Sequence, residues 1–227
     1  MNAEIIAVGS EMLTPFRMDT NSLYLTEQLN LLGVDVIFKS IVGDNLPRLI
    51  AAAEHGLFRS DILIFSGGLG PTEDDLTREA VAAALGLKLQ RDPEVLARLE
   101  QRFSERGWKM AANNAKQADV IDGAVVLPNP NGTAPGQLLS GQFDGREHII
   151  VLLPGPPHEL KSLFESEVRD RLRAKVPAAS LAVRTLKIAM LGESAVDARV
   201  APIYQRYTDV ETTILAGAGE IELHFKT

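Results

Sequence analysis

The predicted fold rests on Asp61-Ile62-Leu63-Ile64-Phe65-Ser66-Gly67-Gly68-Leu69-Gly70-Pro71-Thr72-Glu73-Asp74-Asp75. Ile62–Phe65 is a continuous apolar run, which is typical of a strand buried on both faces. Glycines follow at once, and Asp75–Leu85 has the pattern of a helix that ends at Gly86. A buried strand that turns through glycines into a helix is a unit of a parallel α/β sheet.

The same alternation continues on both sides of this segment. Further buried strands are predicted at Glu4–Gly9, Val34–Val42 and His148–Leu153. Further helices are predicted at Asn21–Leu32, Pro47–Phe58, Pro93–Arg106 and His158–Lys175. Only Asn113–Gln142, which is rich in proline and glycine, is predicted as loop with short strands, with a hairpin as one option. We therefore expect a mostly parallel sheet with helices on both faces.

The sequence predicts two domains, residues 1–176 and residues 181–227, joined by a linker at Pro177–Ser180. The second domain has a β-α-β-β pattern over about 47 residues. That length is marginal for an independent domain. It is therefore either a fragment of a larger module or a unit that packs on the first domain.

Composition excludes several classes of protein. The 227 residues include no cysteine, which excludes thiol catalysis and zinc–thiolate sites. No apolar run approaches the ~18 residues of a membrane span, and the N-terminus lacks the basic region of a signal peptide. A cytoplasmic protein without membrane partners is therefore expected. The net charge of −7 argues against nucleic-acid binding but not against binding one nucleotide.

Each predicted strand end combines glycine with a carboxylate. The four segments are Gly9-Ser10-Glu11, Gly43-Asp44, Gly67–Asp75 and Pro154-Gly155-Pro156-Pro157-His158-Glu159. Ligands of open parallel sheets bind beyond the carboxyl ends of the strands, and glycines let backbone N–H groups approach a phosphate. Carboxylates suit a phosphate only when a cation lies between them. The candidate cation ligands are Glu11, Asp44, Asp74, Asp75 and Glu159.

Several of these residues also have purely structural interpretations. Asp75 and Asp44 each precede a predicted helix and could cap it, and Glu159 could interact with a helix dipole. Glu11 has no evident structural role, so a functional one is favoured. The loop Asn129–Gly136 is either two turns in series or a place where Asn131 and Thr133 hydrogen-bond a base or sugar.

These motifs together resemble a known family. Gly67–Thr77 is similar to the signature of the molybdopterin-binding fold, and the chain more narrowly resembles the N-terminal part of the competence/damage-inducible CinA family. The other matching segments are Val8–Leu13, Asp19–Ser22, Val42–Asp44, Asn129–Gly136 and Leu153–Glu159. The resemblance implies a three-layer α/β/α fold followed by a small KH-like α+β module.

The resemblance also implies a function and a set of site residues. The function is metal-dependent hydrolysis of the pyrophosphate bond of ADP-ribose-like nucleotides to AMP and ribose 5-phosphate. The implied cofactor is Mg²⁺, Mn²⁺ or Co²⁺, with K⁺ as a further candidate. Catalytic roles fall to Asp75, Asp44 and Glu11, and metal binding to Asp44, Asp74, Asp75 and Glu159. Substrate binding falls to Gly9, Ser10, Asn21, Gly67, Gly68, Gly70, Pro71, Thr72, Thr77, Asn131, Thr133, Pro154 and Gly155.

Two further expectations concern the C-terminal part of the chain. CinA-like proteins often continue into a nicotinamide-nucleotide deamidase domain, and this activity is expected to be absent because the sequence ends at Thr227. The second domain has no Gly-x-x-Gly clamp, and its acidic residues outnumber its basic ones. RNA binding by it is therefore not expected.

Two other functions remain open beside the hydrolase. The first is a molybdopterin-binding or adenylyl-transfer protein of the same fold, since Gly67–Thr77 is shared with that class. The second is a non-catalytic module that senses a nucleotide. In each case the partner is a small molecule, and a homo-oligomer, dimer or trimer, is expected.

Overall fold

The computed structural model describes residues 1–143, 145–177 and 182–227. The chain divides into two compact units, Met1–Ala178 and Ala179–Thr227. The predicted linker Pro177–Ser180 lies, except for Pro177, outside the described residues, as does Leu181 at the start of the predicted second domain. The domain bounds 1–176 and 181–227 stay predictions.

The first unit contains eight strands and six α-helices among its described residues. The strands are β1 Asn2–Val8, β2 Asp35–Val42, β3 Ile62–Ser66, β4 Leu89–Arg91, β5 Asp119–Ile121, β6 Val125–Leu127, β7 Gly136–Phe143 and β8 Arg146–Leu153. The helices are α1 Thr20–Leu31, α2 Leu46–Arg59, α3 Thr77–Leu85, α4 Pro93–Glu105, α5 Pro157–Leu163 and α6 Arg169–Arg173. The unit also contains two 3₁₀ helices, Ser10–Leu13 and Ala112–Ala118, and a π-helical turn, Phe164–Val168.

The main sheet has six strands in the order β2-β1-β3-β8-β7-β6. β2, β1, β3 and β8 are parallel, whereas β7 pairs antiparallel with both of its neighbours. Apolar side chains cover both faces of the sheet. Ile5 and Ile64 pack with Leu25 of α1 on one face, and Ile6 and Phe65 pack with Leu49 of α2 on the other. The prediction of a mostly parallel sheet with helices on both faces is confirmed.

Two regions agree with the prediction in outline and differ in detail. The turn-rich segment Asn113–Gln142 supplies β6 and most of β7, which extend the main sheet through a hairpin with β8. The single helix predicted over His158–Lys175 is instead α5, a π-helical turn at Phe164–Val168, and α6. The π turn keeps Phe164, Val168 and Leu172 buried in one apolar cluster, and packing therefore overrides the regular helical repeat.

An ion pair between a buried carboxylate and a partly exposed guanidinium links β1 to α2. Glu4 of β1 is buried and accepts two hydrogen bonds from the Arg59 guanidinium, at 2.8 and 2.7 Å, and one from Ser40 Oγ at 2.9 Å. Arg59 also lies 3.6 Å above the ring of Phe38. The hydrogen bonds to Glu4 raise the pKa of Arg59.

We expect Glu4→Gln to lower the free energy of unfolding by about 2 kcal/mol, because it leaves the guanidinium without its charged partner. Urea unfolding followed by circular dichroism measures the change. Glu94→Gln is the control, since its ion pair with Arg98 is solvent-exposed and should contribute nothing measurable. Equal losses in the two variants would contradict the prediction.

The second unit is small. Its strands β9 Val183–Ala189, β10 Glu211–Ala216 and β11 Glu220–Lys226 form an antiparallel sheet in the order β10-β11-β9. Helix α7, Glu193–Tyr204, packs Val196 against Ile221 and Leu223. The β-α-β-β order agrees with the pattern in the sequence, and its KH-like identity stays a prediction. Among all described residues, none of the helices has both the length and the apolar character that a membrane crossing requires.

Candidate functional site

A cavity of about 780 Å³ lies at the carboxyl ends of β1, β3 and β8. Its volume is in the usual range for a small-molecule site. Val8, Gly67 and Pro154 mark the three strand ends on its wall, and the rest comes from the loops that follow them. This is the edge at which parallel α/β sheets bind ligands. We call it the site cavity.

The turn after β3, Gly67–Gly70, is built so that only glycine fits at its start. Gly67 has φ +108° and Gly68 has φ +68°, a conformation that residues with a side chain rarely adopt. A Cβ atom at Gly67 would collide with the carbonyl oxygen of Val8, and one at Gly68 would collide with the hydroxyl of Thr77. The glycines therefore allow β1, β3 and the start of α3 to approach closely. We call these four residues the glycine turn.

Three successive carbonyl groups of the glycine turn face the start of α3. The carbonyl of Gly67 accepts from Thr77 Oγ1 at 2.7 Å, that of Gly68 accepts from Thr77 N at 3.2 Å, and that of Leu69 accepts from Arg78 at 2.8 Å. In a planar trans peptide the N–H of the next residue points opposite to the carbonyl. The N–H groups of Gly68, Leu69 and Gly70 therefore point away from the groups that bind these carbonyls, and they find no acceptor within the described residues.

The buried side chain of Arg78 fixes the carbonyl groups of the glycine turn. Its side chain is 0% exposed, and its guanidinium donates to the carbonyls of Leu69 and Gly70 at 2.8 and 2.9 Å. Burial lowers the pKa of Arg78. Arginine is seldom fully buried without a specific partner. Here the partners are the carbonyl oxygens of the turn, so the buried charge fixes the turn's shape.

The carboxylate of Asp75 also shapes the turn. Its Oδ2 accepts from the backbone N–H of Thr72 at 2.9 Å and from the Thr72 hydroxyl at 2.5 Å. Helix α3 begins at Thr77 with no side-chain cap, so Asp75 is not the helix cap that was one of its two interpretations. Asp75 lines the site cavity, whereas Thr72 and Asp74 do not.

Asp44 connects two loops and lies outside the cavity wall. Its Oδ2 accepts from the N–H of Ser10 at 2.7 Å, and its own N–H donates to the Ser10 hydroxyl at 2.9 Å. Asn45, and not Asp44, caps α2 by accepting from the N–H of Arg48. Asp44 therefore ties the loop after β1 to the loop after β2.

Glu159 orders the loop after β6. Its Oε2 accepts from the Asn129 amide at 2.7 Å, and the Asn129 Oδ1 in turn accepts from the N–H groups of Asn131 and Gly132 at 3.1 and 3.0 Å. This loop brings Thr133 to the cavity wall and leaves Asn131 exposed and outside the wall.

On the other side of the cavity, the buried Asn21 donates to Ser66 Oγ and to the Gly155 carbonyl at 2.9 and 2.8 Å.

The cavity wall contains most of the predicted site residues. Those on the wall are Glu11, Asn21, Gly67, Gly68, Gly70, Pro71, Asp75, Thr133, Pro154, Gly155 and Glu159. Those off the wall are Gly9, Ser10, Asp44, Thr72, Asp74, Thr77 and Asn131. Thr77 is fully buried beneath the turn. Sequence reasoning missed other members of the wall, among them Met12, Phe16, Arg17, Met18 and Gln117.

The predicted carboxylates do not gather into one cation site. Within the described residues, no group of three or more histidine, aspartate and glutamate side chains could hold a metal ion. The physical reason is that Asp44 accepts from Ser10 of the neighbouring loop and Asp75 accepts from Thr72 of its own loop, so each carboxylate is held by a different donor. The divalent metal and K⁺ stay predictions.

Comparison with known proteins places the chain in a family. Residues 4–174 match the family model described as "Probable molybdopterin binding domain". A CinA-like protein of Koribacter versatilis is 57% identical over 227 residues, which are 100% of this chain and 55% of that protein. A CinA-like protein of Solibacter usitatus is 53% identical over 228 residues, 100% of this chain and 53% of that protein. The chain therefore spans about half the length of these curated relatives.

A solved structure agrees with this assignment. The crystal structure described as the protein CinA with unknown function from Thermoplasma acidophilum has a TM-score of 0.68 to this chain. Its sequence is 31% identical, and the match covers 75% of this chain and 98% of that one. The predicted molybdopterin-binding-like fold class is thereby confirmed.

The expected ADP-ribose pyrophosphatase is wrong. The matched family is described by molybdopterin binding, and neither the relatives named above nor the solved structure is described as a hydrolase of ADP-ribose. The carboxylates from which hydrolysis was inferred are largely engaged in holding loops. Since the family model covers most of the chain and the Thermoplasma structure is matched over nearly its whole length, the chain belongs to the molybdopterin binding domain family and is a CinA-like member of it.

Proposed function

We propose that the site cavity binds a phosphorylated pterin of the molybdopterin type, with its phosphate on the N–H groups of the glycine turn. The observation that carries this proposal is that the carbonyls of Gly67, Gly68 and Leu69 all bind residues at the start of α3, which leaves the N–H groups of Gly68, Leu69 and Gly70 facing away from those donors. Successive N–H groups that point to one side form a concave site for an anion. Three carbonyl bonds on the opposite side hold them there before any ligand arrives.

The charge of the wall makes these backbone donors necessary. Arg17 is the one basic side chain among the described wall residues, while Glu11, Asp75 and Glu159 are acidic. A phosphate facing such a wall requires fixed donors to offset the repulsion. The N–H groups of the glycine turn supply donors whose geometry is already set.

The same carboxylates suit the other end of a pterin. The 2-amino-4-oxo ring edge carries N–H groups, and carboxylates accept charge-assisted hydrogen bonds from such donors. Phe16 lies on the cavity wall and is 88% exposed, so its ring face is open to a flat heterocycle. A ligand with an anionic end and an N–H-rich aromatic end matches both halves of the wall.

We expect a 6-substituted pterin phosphate to raise the midpoint of thermal unfolding, and the unphosphorylated pterin to raise it less. A ligand at about 100 times its Kd stabilises the folded state by about 2.7 kcal/mol, which thermal-shift measurements detect easily. Isothermal titration calorimetry then gives the affinity of each compound. Stabilisation by an adenine nucleotide with none by the pterin phosphate would overturn the proposal.

A further inference from the structure

Gln117 is a buried polar residue whose position the fold alone does not explain. It lies in the 3₁₀ helix Ala112–Ala118, is 1% exposed, and forms part of the cavity wall. Its Nε2 donates to the Thr133 hydroxyl at 3.0 Å, and its Oε1 has no partner among the described residues. An unpaired buried oxygen costs about 1–3 kcal/mol, so the position calls for another explanation.

Gln137 shows how a structural glutamine behaves in the same protein. It is equally buried, but its Oε1 accepts from Ile121 N at 2.9 Å and its Nε2 donates to the Asp119 carbonyl at 2.9 Å. Both ends of that amide are paired, and the bonds join β5 to β7. Within the described residues Gln117 makes only the side-chain bond to Thr133.

We infer that Gln117 is a positioning residue that fixes the Thr133 hydroxyl as a hydrogen-bond donor to the phosphate of the bound ligand. This inference rests on the proposed function and names a specificity element of the same site. A hydroxyl group has one hydrogen and two acceptor lone pairs. Since the oxygen of Thr133 accepts from Gln117, its hydrogen is left for another acceptor, and none is found within the described residues.

The surroundings of Thr133 favour a phosphate oxygen as that acceptor. Lys116, the residue before Gln117, donates to the Thr72 carbonyl at 3.1 Å, so this 3₁₀ helix adjoins the loop that continues the glycine turn. Thr133 and the residues of the glycine turn also line the same cavity. The Glu159 carboxylate lies against Gly132, the residue before Thr133, and it repels an anion bound there. A Thr133 hydroxyl whose hydrogen is fixed toward the anion offsets this repulsion.

The test compares Gln117→Glu with wild type by titration calorimetry, using a 6-substituted pterin phosphate and its unphosphorylated form as probes. A carboxylate has the shape of the amide but only accepts, so it takes the Thr133 hydrogen and turns the oxygen lone pairs toward the phosphate. We expect the affinity for the phosphorylated probe to fall about tenfold or more, and that for the unphosphorylated probe to change less than about twofold.

Thr133→Val and Thr133→Ser decide the question independently if Gln117→Glu does not fold. The valine variant should lose the preference for the phosphorylated probe, and the serine variant should keep it. Gln137→Met is the control for general loss of packing, and it should leave the ratio of the two affinities unchanged.

The outcomes separate the two proposals. Equal weakening of both probes by Gln117→Glu, or an unchanged ratio in Thr133→Val, would overturn the inference while leaving pterin binding in place. Failure of wild type to bind either probe would overturn the proposed function and this inference with it.

Discussion

Replacing Arg78 by methionine is expected to lower the free energy of unfolding by about 3–5 kcal/mol and to abolish binding of the pterin phosphate. The substitution removes both donors that hold the carbonyls of Leu69 and Gly70, and it leaves the buried Leu69 oxygen and the partly buried Gly70 oxygen without these partners. Each unpaired buried acceptor costs about 1–3 kcal/mol, and the shorter side chain leaves unfilled space. Denaturant unfolding measures the stability, and calorimetry measures the binding.

Two further variants make the result specific. Arg78→Lys keeps the charge but cannot present two parallel donors, so most of the loss should remain. Arg98→Met is the control, because Arg98 is exposed and, among the described residues, its ion pair is with Glu94 on the surface of α4. A loss in Arg78→Met no larger than in Arg98→Met would show that the turn keeps its shape without the guanidinium.

The sequence predicted the strand, turn and helix at the centre of the site because each leaves a local signal. Ile62–Ser66 is a continuous apolar run, the glycines break it, and the helix ends at Gly86 in a left-handed conformation. The antiparallel strand β7 left no comparable signal, since it lies in a segment rich in turn residues. Its place in the sheet comes from pairing with β8, which is a long-range property.

The carboxylates show where local reasoning ends. The sequence brings Asp44 and Asp75 to the correct edge of the sheet, because strand direction alone decides that. Which way each side chain then turns depends on the donors that it meets in the folded chain, which are Ser10, 34 positions away, for Asp44 and Thr72 for Asp75. Strand ends therefore predict the neighbourhood of a site but not a set of ligands that meet at one atom.

Sequence reasoning missed Arg78 and Gln117 because their residue types do not indicate a position beside a cavity. Both residue types are usually exposed, so a sequence gives no reason to bury them beside a ligand cavity. Their roles depend on the carbonyls of the glycine turn and on the Thr133 hydroxyl, which only the folded chain brings within reach. In contrast, the segment from Met12 to Met18 follows directly after β1, and strand-end reasoning extended by a few residues would have included it.

The other large effect is expected at Gly68, where Gly68→Ala should cost about 3–4 kcal/mol and remove ligand binding. Gly86 provides a matched control, since its φ of +66° is nearly the +68° of Gly68. Both substitutions place a Cβ atom in the left-handed region, which costs about 1–2 kcal/mol. Only at Gly68 does that atom also meet other groups, the Thr77 hydroxyl and, at 3.1 Å, the side chain of Val8, whereas at Gly86 it meets nothing within 4 Å.

The difference between the two losses in free energy of unfolding therefore measures the contact of the new Cβ atom with Thr77 and Val8, separately from the backbone strain. Gly86→Ala should unfold at slightly lower denaturant concentration and bind the pterin phosphate as wild type does. Gly68→Ala must push the turn away from Thr77, which breaks the bond from Thr77 to the Gly67 carbonyl and turns the N–H of Gly68 out of line with its neighbours. Equal stability losses in the two variants would contradict the destabilising close approach at Gly68. Retained binding in Gly68→Ala would mean that the three N–H groups do not form the anion site.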